Sequence, residues 1–365
     1  MMLPYYLVFI VLLLMAISES RFNLEINLNQ RNKKLFWSVF LLIFAFVILR
    51  GNGDGDYFSY KEYCQEIKTL TDIFNSSFPM EIGFRILSYI VNLFHLNPQF
   101  IIIFMNSISL TLIFIFIRKY STLPYLSLLV YFPSLLQYDM HATRTAVAYS
   151  ILTLTYHYFI GGDNIKFRDS KIVLIILLAS LFHKSALIFL LVLMLQKIPF
   201  KKMIYVISLL GSFIFVLFFN IDQIILSIFK ILNLTSFYAR YYQYAYVDVS
   251  GYPFKLYDPR LLILVFLFVL GIAFFQWTKK EELCLKILWL NIIIMILFSQ
   301  HTVFVTRFST FFNVFILIYI PILINKIRMQ YGNKLKLYFC YFITFSYSIY
   351  GIGIIMKSVV YKLFF

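Results

Sequence analysis

Charged residues are scarce in this chain, at 13% of 365 residues, whereas a soluble domain carries about 25%. Hydrophobic residues account for 62%, the mean hydropathy is +0.85, and no polar block is large enough to fold alone. The composition therefore excludes a soluble protein and predicts a single integral membrane domain over residues 1–365.

Cysteine is rarer still, with three residues in the chain. Cys64, Cys284 and Cys340 are scattered without metal-ligand spacing, so we expect neither a disulfide framework nor a metal or other cofactor. Acidic residues are also few, and the net charge of +16 comes from short basic clusters between apolar runs. Such clusters indicate topology signals and contact with anionic lipid rather than a nucleic-acid-binding face.

Apolar runs fill the rest of the chain and predict an all-α, polytopic transmembrane helical bundle of about 11–13 membrane segments. Because the N-terminus lacks the basic region and cleavage site of a signal peptide, its first run is predicted to be a retained span. Spans are expected near residues 3–17, 35–49, 99–117, 122–138, 145–160, 203–219, 260–277, 283–299, 308–324 and 337–356.

One apolar stretch, residues 172–196, does not fit a simple crossing because Phe-His-Lys-Ser interrupts its centre. Lys and Arg concentrate in cytoplasmic loops. Counted with Lys286 at the membrane edge, 19 of the 32 basic residues fall inside if this stretch is a re-entrant or short helical hairpin at His183. The same count favours a helix in the outer interface at 82–96. Residues 50–98 and 220–259 then form the large outer loops.

The first outer loop carries two carboxylates, Asp54 and Asp56, among three glycines, followed by Tyr57 and Tyr60. Glycines let the backbone turn tightly and approach a ligand. Two carboxylates at this spacing can accept sugar hydroxyls, hold a cation or supply a base. An ordinary turn rich in Gly, Asn and Asp is the alternative interpretation.

Other outer segments carry basic residues. Glu81 and Arg85 are four apart and share a helix face, either as a salt bridge or as ligand contacts. Arg144 begins the helix that follows the turn containing His141, where a guanidinium and a helix N-terminus suit a phosphate or pyrophosphate. Arg307 is expected to mirror Arg144, with an interfacial anchor as the alternative.

Two more segments complete the candidate residues. His183 and Lys184 lie between apolar helices, where a neutral imidazole can accept a proton or bind a hydroxyl, although a packing histidine is equally compatible with the pattern. The outer loop at 220–259 has seven tyrosines within residues 238–257. An aromatic belt needs fewer, so we expect a glycan-facing lid, since aromatic faces and hydroxyls suit sugars.

These segments, in this order, resemble the EpsG-like branch of the Wzy-type polysaccharide polymerases. The matching pieces are LRGNGDGDY at 49–57 with Tyr60 following, EIGF at 81–84, TRTAVA at 143–148, LASLFHKSALI at 178–188, and TRFSTFF with Pro321 at 306–321. Where the family pattern has Gln or a similar polar residue after the arginine, this chain has Thr145.

The resemblance implies a GT-C-like membrane glycosyltransferase of the bacterial inner membrane, with a cavity facing the periplasm. It implies transfer of a growing glycan from undecaprenyl pyrophosphate to a new lipid-linked repeat, without a metal or other cofactor. The implied partners are the lipid-linked glycan donor and acceptor, membrane lipid and a chain-length regulator protein, and no nucleic acid.

In that reaction the outer residues take two kinds of role. Arg144 and Arg307 are expected to stabilise the leaving pyrophosphate, and His183 or Asp56 to act as the base. The expected substrate contacts are Asp54, Tyr57, Tyr60, Glu81, Arg85, His141, Lys184, Arg240, Tyr241 and Tyr244.

Two alternatives stay open at this point. An O-antigen ligase uses the same donor and also needs outer arginines. A non-enzymatic flippase for lipid-linked oligosaccharide predicts mid-membrane polar residues at corresponding positions of two repeated halves. No internal repeat is found and the charges cluster on one side, which favours an enzyme.

Overall fold

The computed structural model describes residues 2–21, 30–53, 55–75, 77–161, 166–247 and 252–364. Within these ranges the regular structure is helical, and the β pairing is an isolated bridge between Arg50 and Leu363. The predicted all-α, polytopic class is confirmed. Asp54, one of the candidate carboxylates, lies outside the described residues.

The chain folds as two compact units, which are described separately. Unit 1 comprises Met1–Leu187 and Leu317–Phe365, and unit 2 comprises Ile188–Ile316. The helices of unit 1 are α1 Leu3–Arg21, α2 Gln30–Ile48, α3 Gly55–Glu66, α4 Leu70–Ile73, α5 Ile82–Leu93, α6 Gln99–Tyr120, α7 Pro124–Ser134, α8 Thr143–Leu152, α9 Thr155–Gly161, α10 Arg168–Ser180 and, after its first residue, α18 Ile316–Ile355. Those of unit 2 are α11 Leu190–Lys197, α12 Lys202–Phe218, α13 Ile221–Ile231, α14 Thr235–Tyr242, α15 Pro259–Phe274, α16 Lys279–Leu297 and α17 Thr302–Asn313.

In unit 1, α6 packs on α2 and α8, and α1 packs on α7. The start of α7 is buried, so its first backbone N–H groups need acceptors. Glu19, on α1, supplies them, because its carboxylate accepts from the N–H groups of Tyr125 at 3.3 Å and Leu126 at 2.9 Å. One buried carboxylate thereby fixes the register between α1 and α7.

The end of α7 is shaped by Pro133, which has no N–H to donate and cannot continue a regular α-helix unperturbed. The chain continues as one π-helical turn, Leu135–Asp139. At its end Asp139 is fully buried, and its carboxylate accepts hydrogen bonds from Ser109 on α6, Tyr131 on α7 and Tyr149 on α8. Three helices therefore meet at one carboxylate.

Unit 2 is arranged around α16, which contacts α11, α12, α15 and α17. Thr278 and Glu281 form a reciprocal capping box at its start. Lys286, expected at the membrane edge, is buried, paired with Glu282 at 2.7 Å and donating to the carbonyl of Ile198 at 2.6 Å.

Three described helices, α1, α6 and α18, are long and apolar enough to cross a membrane, and a fourth span is counted if α12 and α13, bent by 84°, form one broken crossing. Other expected spans coincide with shorter helices; residues 145–160, for example, fold as α8 and α9. Helix α18 joins two expected spans and leaves helical geometry at Gly332, where φ is +83°. The number of crossings stays a prediction.

The expected interruption at His183 is present. Helix α10 ends at Ser180, a turn follows, and residues Lys184–Phe189 form a 3-10 helix before α11. Whether the chain reverses direction there stays a prediction. The helix expected at 82–96 forms as α5, Ile82–Leu93.

Replacing Asp139 by Ala tests the Asp139 junction, the buried point at which hydroxyls from α6, α7 and α8 donate to its carboxylate. Three hydroxyls lose their acceptor, and each unsatisfied buried group costs about 1–3 kcal/mol. We expect a melting temperature in detergent well below that of the wild type. Asp169, whose side chain is 45% exposed and pairs with Arg168, is the control, and Asp169→Ala should change stability little. Equal losses in both variants would contradict a junction role for Asp139.

Candidate functional site

Arg144 is the second residue of α8 and follows the turn that contains His141. A hydrogen bond closes this turn, because Thr143 Oγ1 donates to the backbone carbonyl of Asp139 at 3.3 Å. The buried Asp139 junction therefore fixes where α8 begins. The sequence-based expectation that Arg144 starts a helix is met by this geometry.

The guanidinium of Arg144 is held on two sides. Its Nη1 donates to the Glu81 carboxylate, and its Cζ lies 5.5 Å from the centre of the Tyr60 ring. Burial pushes the pKa of Arg144 down, but Tyr60 and Glu81 outweigh it, so the pKa is raised and the group stays charged. Four-fifths of the Arg144 side chain is shielded, so its orientation is fixed before any ligand arrives.

Glu81 reaches Arg144 because it is the residue immediately before α5. A salt bridge to Arg85 was one sequence-based interpretation. Instead Arg85 is buried and its Nη1 donates to the carbonyl of Asn75, which anchors the preceding loop. Glu81 therefore pairs with Arg144, whereas Arg85 holds the loop that precedes α5.

The turn before His183 is attached to α5, the helix that begins directly after Glu81. The Gly83 N–H donates to the carbonyl of Leu181 at 2.7 Å. A Cβ at position 83 would lie 2.8 Å from that oxygen and 3.1 Å from the Phe182 ring, so only glycine permits the contact. The segments of Glu81, Arg144 and His183 are thus brought together within unit 1.

His183 is half-buried, and its Nδ1 accepts a hydrogen bond from the Ser185 N–H at 3.3 Å. In a neutral ring this leaves the proton on Nε2, which can donate to a hydroxyl or phosphate oxygen. Lys184 beside it is exposed.

The tyrosines of the first outer loop are not displayed at the surface. Tyr57 and Tyr60 are 1% and 2% exposed, since α3 packs on α5 and α6. The Tyr57 hydroxyl donates to Gln99 on α6, and burial raises the pKa of Tyr60, against the effect of Arg144. Their structural task is to support Arg144 and the start of α6, whereas Asp56 in the first turn of α3 is exposed.

In unit 2, Arg307 is half-buried in the second turn of α17, deeper in its helix than Arg144 is in α8. Tyr241 stacks on Phe304, with centroids 4.6 Å apart, and its hydroxyl donates to Asp222 at 2.6 Å. Positions 240 and 244 lie in α14 and the following π-helical turn, but the side chains of Arg240 and Tyr244 lie outside the described ones.

Asp139 and Asp222 are buried polar residues that were not among the sequence-based candidates. Asp222 is 1% exposed, and its Oδ2 lies 2.8 Å from His301 Nε2. A carboxylate next to an apolar run was the available signal in both cases. The signal identifies the residue, but its partners lie on or next to other helices.

No group of three or more His, Cys, Asp or Glu side chains suitable for a metal occurs in the described part of the chain. The Asp54–Asp56 pair cannot be judged there, since Asp54 is outside it. The absence of an obligatory metal stays a prediction.

Helical organisation and long apolar helices define a polytopic membrane protein, in which Arg144 pairs with Glu81 at the start of α8. The chain belongs to the EpsG family: the family model matches residues 33–363, nearly the whole length. Neither the curated proteins nor the solved structures contain a match to it. The family links the chain to polysaccharide-related membrane polymerases.

Gly83→Ala tests the junction between α5 and the His183 turn. The added methyl group collides with a backbone carbonyl, so we expect a clear drop in melting temperature. Gly211, in α12, has nothing within 4 Å of an added Cβ. Gly211→Ala should therefore be neutral or stabilise by up to about 1 kcal/mol. An unchanged melting temperature for Gly83→Ala would show that the junction tolerates displacement.

Proposed function

We propose that the protein polymerises undecaprenyl-pyrophosphate-linked oligosaccharide repeats by glycosyl transfer at the periplasmic face of the bacterial inner membrane. The observation that carries this proposal is the orientation of Arg144. Its segment, the Glu81 segment and the His183 turn meet in unit 1, and membership of the EpsG family supports a polysaccharide substrate.

The proposed chemistry places growing negative charge on the departing lipid pyrophosphate. A fixed guanidinium stabilises that charge without having to be reoriented during the reaction. Arg144 meets this requirement, since Glu81 and Tyr60 hold it while it stays charged. His183, donating through Nε2, is suited to assist at a phosphate oxygen, and Arg307 is the second proposed cation.

The acceptor hydroxyl needs a base. Asp56 and His183 are the proposed candidates. The hydrogen bond from the Ser185 N–H to Nδ1 leaves the proton of a neutral His183 ring on Nε2, which favours Asp56 as the base. Asp56 is exposed at the start of α3, where a carboxylate is able to reach a ligand. Glycan donor, glycan acceptor, membrane lipid and a chain-length regulator protein remain the proposed partners.

Topology is tested by cysteine labelling, because the three native cysteines are all buried. Lys201→Cys and Tyr257→Cys place a thiol at exposed positions on the two predicted sides. In spheroplasts a membrane-impermeant maleimide should label position 257 directly and position 201 only after permeabilisation. Direct labelling at position 201 would mean that residues 172–196 cross once and that the later loops are inverted.

Arg144→Ala is the direct test of function. Reconstituted wild-type protein should make long glycan from purified lipid-linked repeats, and the variant should be slower by roughly 10²-fold or more, as when a transition-state donor is removed. Arg144→Lys should recover only part, because an ammonium lacks the planar fork. Arg307→Ala is expected to fall similarly.

Arg328→Ala, on a predicted inner segment, is the matched control and should polymerise normally. Undiminished product from Arg144→Ala and Arg307→Ala would remove the mechanism. A ligase is distinguished in cells, because loss of a polymerase leaves single repeats on the lipid A core whereas loss of a ligase leaves none. A wild-type protein that only moves lipid-linked repeats across vesicles would indicate the flippase.

A further inference from the structure

Three tyrosines of unit 2 form a ladder on one face of the tyrosine-rich segment. Tyr238 and Tyr242 in α14 stack nearly parallel, with centroids 6.1 Å apart, and Tyr246 follows at 5.1 Å from Tyr242. Four-residue spacing brings each ring onto the same side. Tyr242 and Tyr246 are 45% and 49% exposed, so about half of each side chain is accessible to a ligand.

The ladder ends at a buried histidine. The Tyr246 ring lies edge-on to His301, with centroids 6.0 Å apart. His301 is 8% exposed and its Nε2 lies 2.8 Å from Asp222 Oδ2. Since a carboxylate only accepts, Nε2 is the donor. The other Asp222 oxygen accepts from the Tyr241 hydroxyl, which burial and Asp222 keep protonated by raising its pKa.

One atom of this arrangement lacks a hydrogen-bond partner among the described residues. His301 Nδ1 is buried and makes no hydrogen bond to any described residue. A buried polar atom of this kind normally has a partner, since leaving it unsatisfied costs about 1–3 kcal/mol. A sugar hydroxyl suits Nδ1 in either protonation state of the ring, because an O–H both donates and accepts.

An aromatic belt at the membrane interface accounts for exposed tyrosines. It does not account for a ladder that leads to an oriented histidine with an unused nitrogen. A structural brace accounts for the Asp222–His301 pair but not for Nδ1. A ligand with apolar C–H faces and many hydroxyls accounts for all three features, because stacking uses the faces and the hydroxyls reach the phenols and the imidazole.

We propose that Tyr238, Tyr242, Tyr246 and His301 form a glycan-binding subsite in unit 2, in which the tyrosines stack on successive sugar rings and His301 Nδ1 binds a hydroxyl. The subsite deepens the proposed function, on which it rests, because a polymerase must hold a growing glycan. Asp222 is a positioning residue that orients the imidazole.

Binding is measured with a defined probe. Cells lacking the gene accumulate the lipid-linked repeat if the proposed function is right, and mild acid releases its oligosaccharide from the pyrophosphate. Isothermal titration of the detergent-purified wild-type protein with that oligosaccharide should show saturable binding. Tyr242→Ala and Tyr246→Ala should each weaken it about tenfold, a loss of about 1.4 kcal/mol. Tyr331→Ala, which removes a tyrosine that is 46% exposed in the predicted inner loop 325–336, should bind as the wild type does.

The role of His301 is tested with two amide substitutions, His301→Gln and His301→Asn. Gln can keep the hydrogen bond to Asp222 at the position of Nε2 but leaves nothing at Nδ1, whereas Asn places its amide near Nδ1 and abandons Asp222. We expect His301→Gln to retain the wild-type melting temperature and bind the oligosaccharide about tenfold more weakly. His301→Asn should melt lower yet bind more tightly than His301→Gln.

The outcomes separate the two proposals. If the gene deletion accumulates no lipid-linked repeat, the proposed function fails. If the repeat accumulates but the wild-type protein does not bind it, or the ladder variants bind it unchanged, the subsite is wrong while the function stands. If His301→Gln binds as the wild type does and only His301→Asn is impaired, the Asp222–His301 pair is a brace and the subsite assignment of His301 is overturned.

Discussion

An ionisable side chain placed among apolar helices has to find its hydrogen-bond partners inside the protein, because hydrocarbon does not solvate it. Three side chains in the described part of unit 1 illustrate this constraint. Glu19 takes two backbone N–H groups of α7, Asp139 takes three hydroxyls, and Glu81 takes the guanidinium of Arg144. Each set of contacts joins different helical segments. Apolar packing is non-directional, so these polar contacts determine which helices meet and in what register.

The parts of the fold that follow from local rules were predictable. Long apolar runs gave helices, and a histidine and a lysine in the middle of an apolar stretch indicated the break at His183, because neither belongs on a lipid-facing helix. The start of α8 at Arg144 was also foreseen from the polar turn before it. Element lengths were not, since residues 145–160 divide into two short helices. A run of apolar letters does not reveal where a packed chain kinks.

The identity of each polar partner could not be read from the sequence. Glu81 had a local candidate in Arg85 at helical spacing, yet its partner is Arg144, 63 residues away. Tyr57 and Tyr60 have the spacing of a displayed aromatic loop, but α3 turns them into the core against α6. In the outer loop at 220–259, the Tyr241 hydroxyl donates to Asp222 inside unit 2, whereas Tyr242 and Tyr246 form the exposed ring pair. Such choices depend on tertiary packing, which spacing alone does not contain.

The pairing of Arg144 with Glu81 bears on what the arginine can do in the proposed reaction. A carboxylate beside a guanidinium reduces the net positive charge, which weakens attraction for a substrate that is already charged. It also fixes the plane of the guanidinium, whose N–H donors outnumber what one carboxylate accepts. Stabilisation accelerates a reaction only where it is greater in the transition state than in the bound substrate. A partly neutralised, fixed arginine favours the charge that develops on the leaving group over tight binding of the ground state, and this is the arrangement that α5, α3 and α8 build around Arg144.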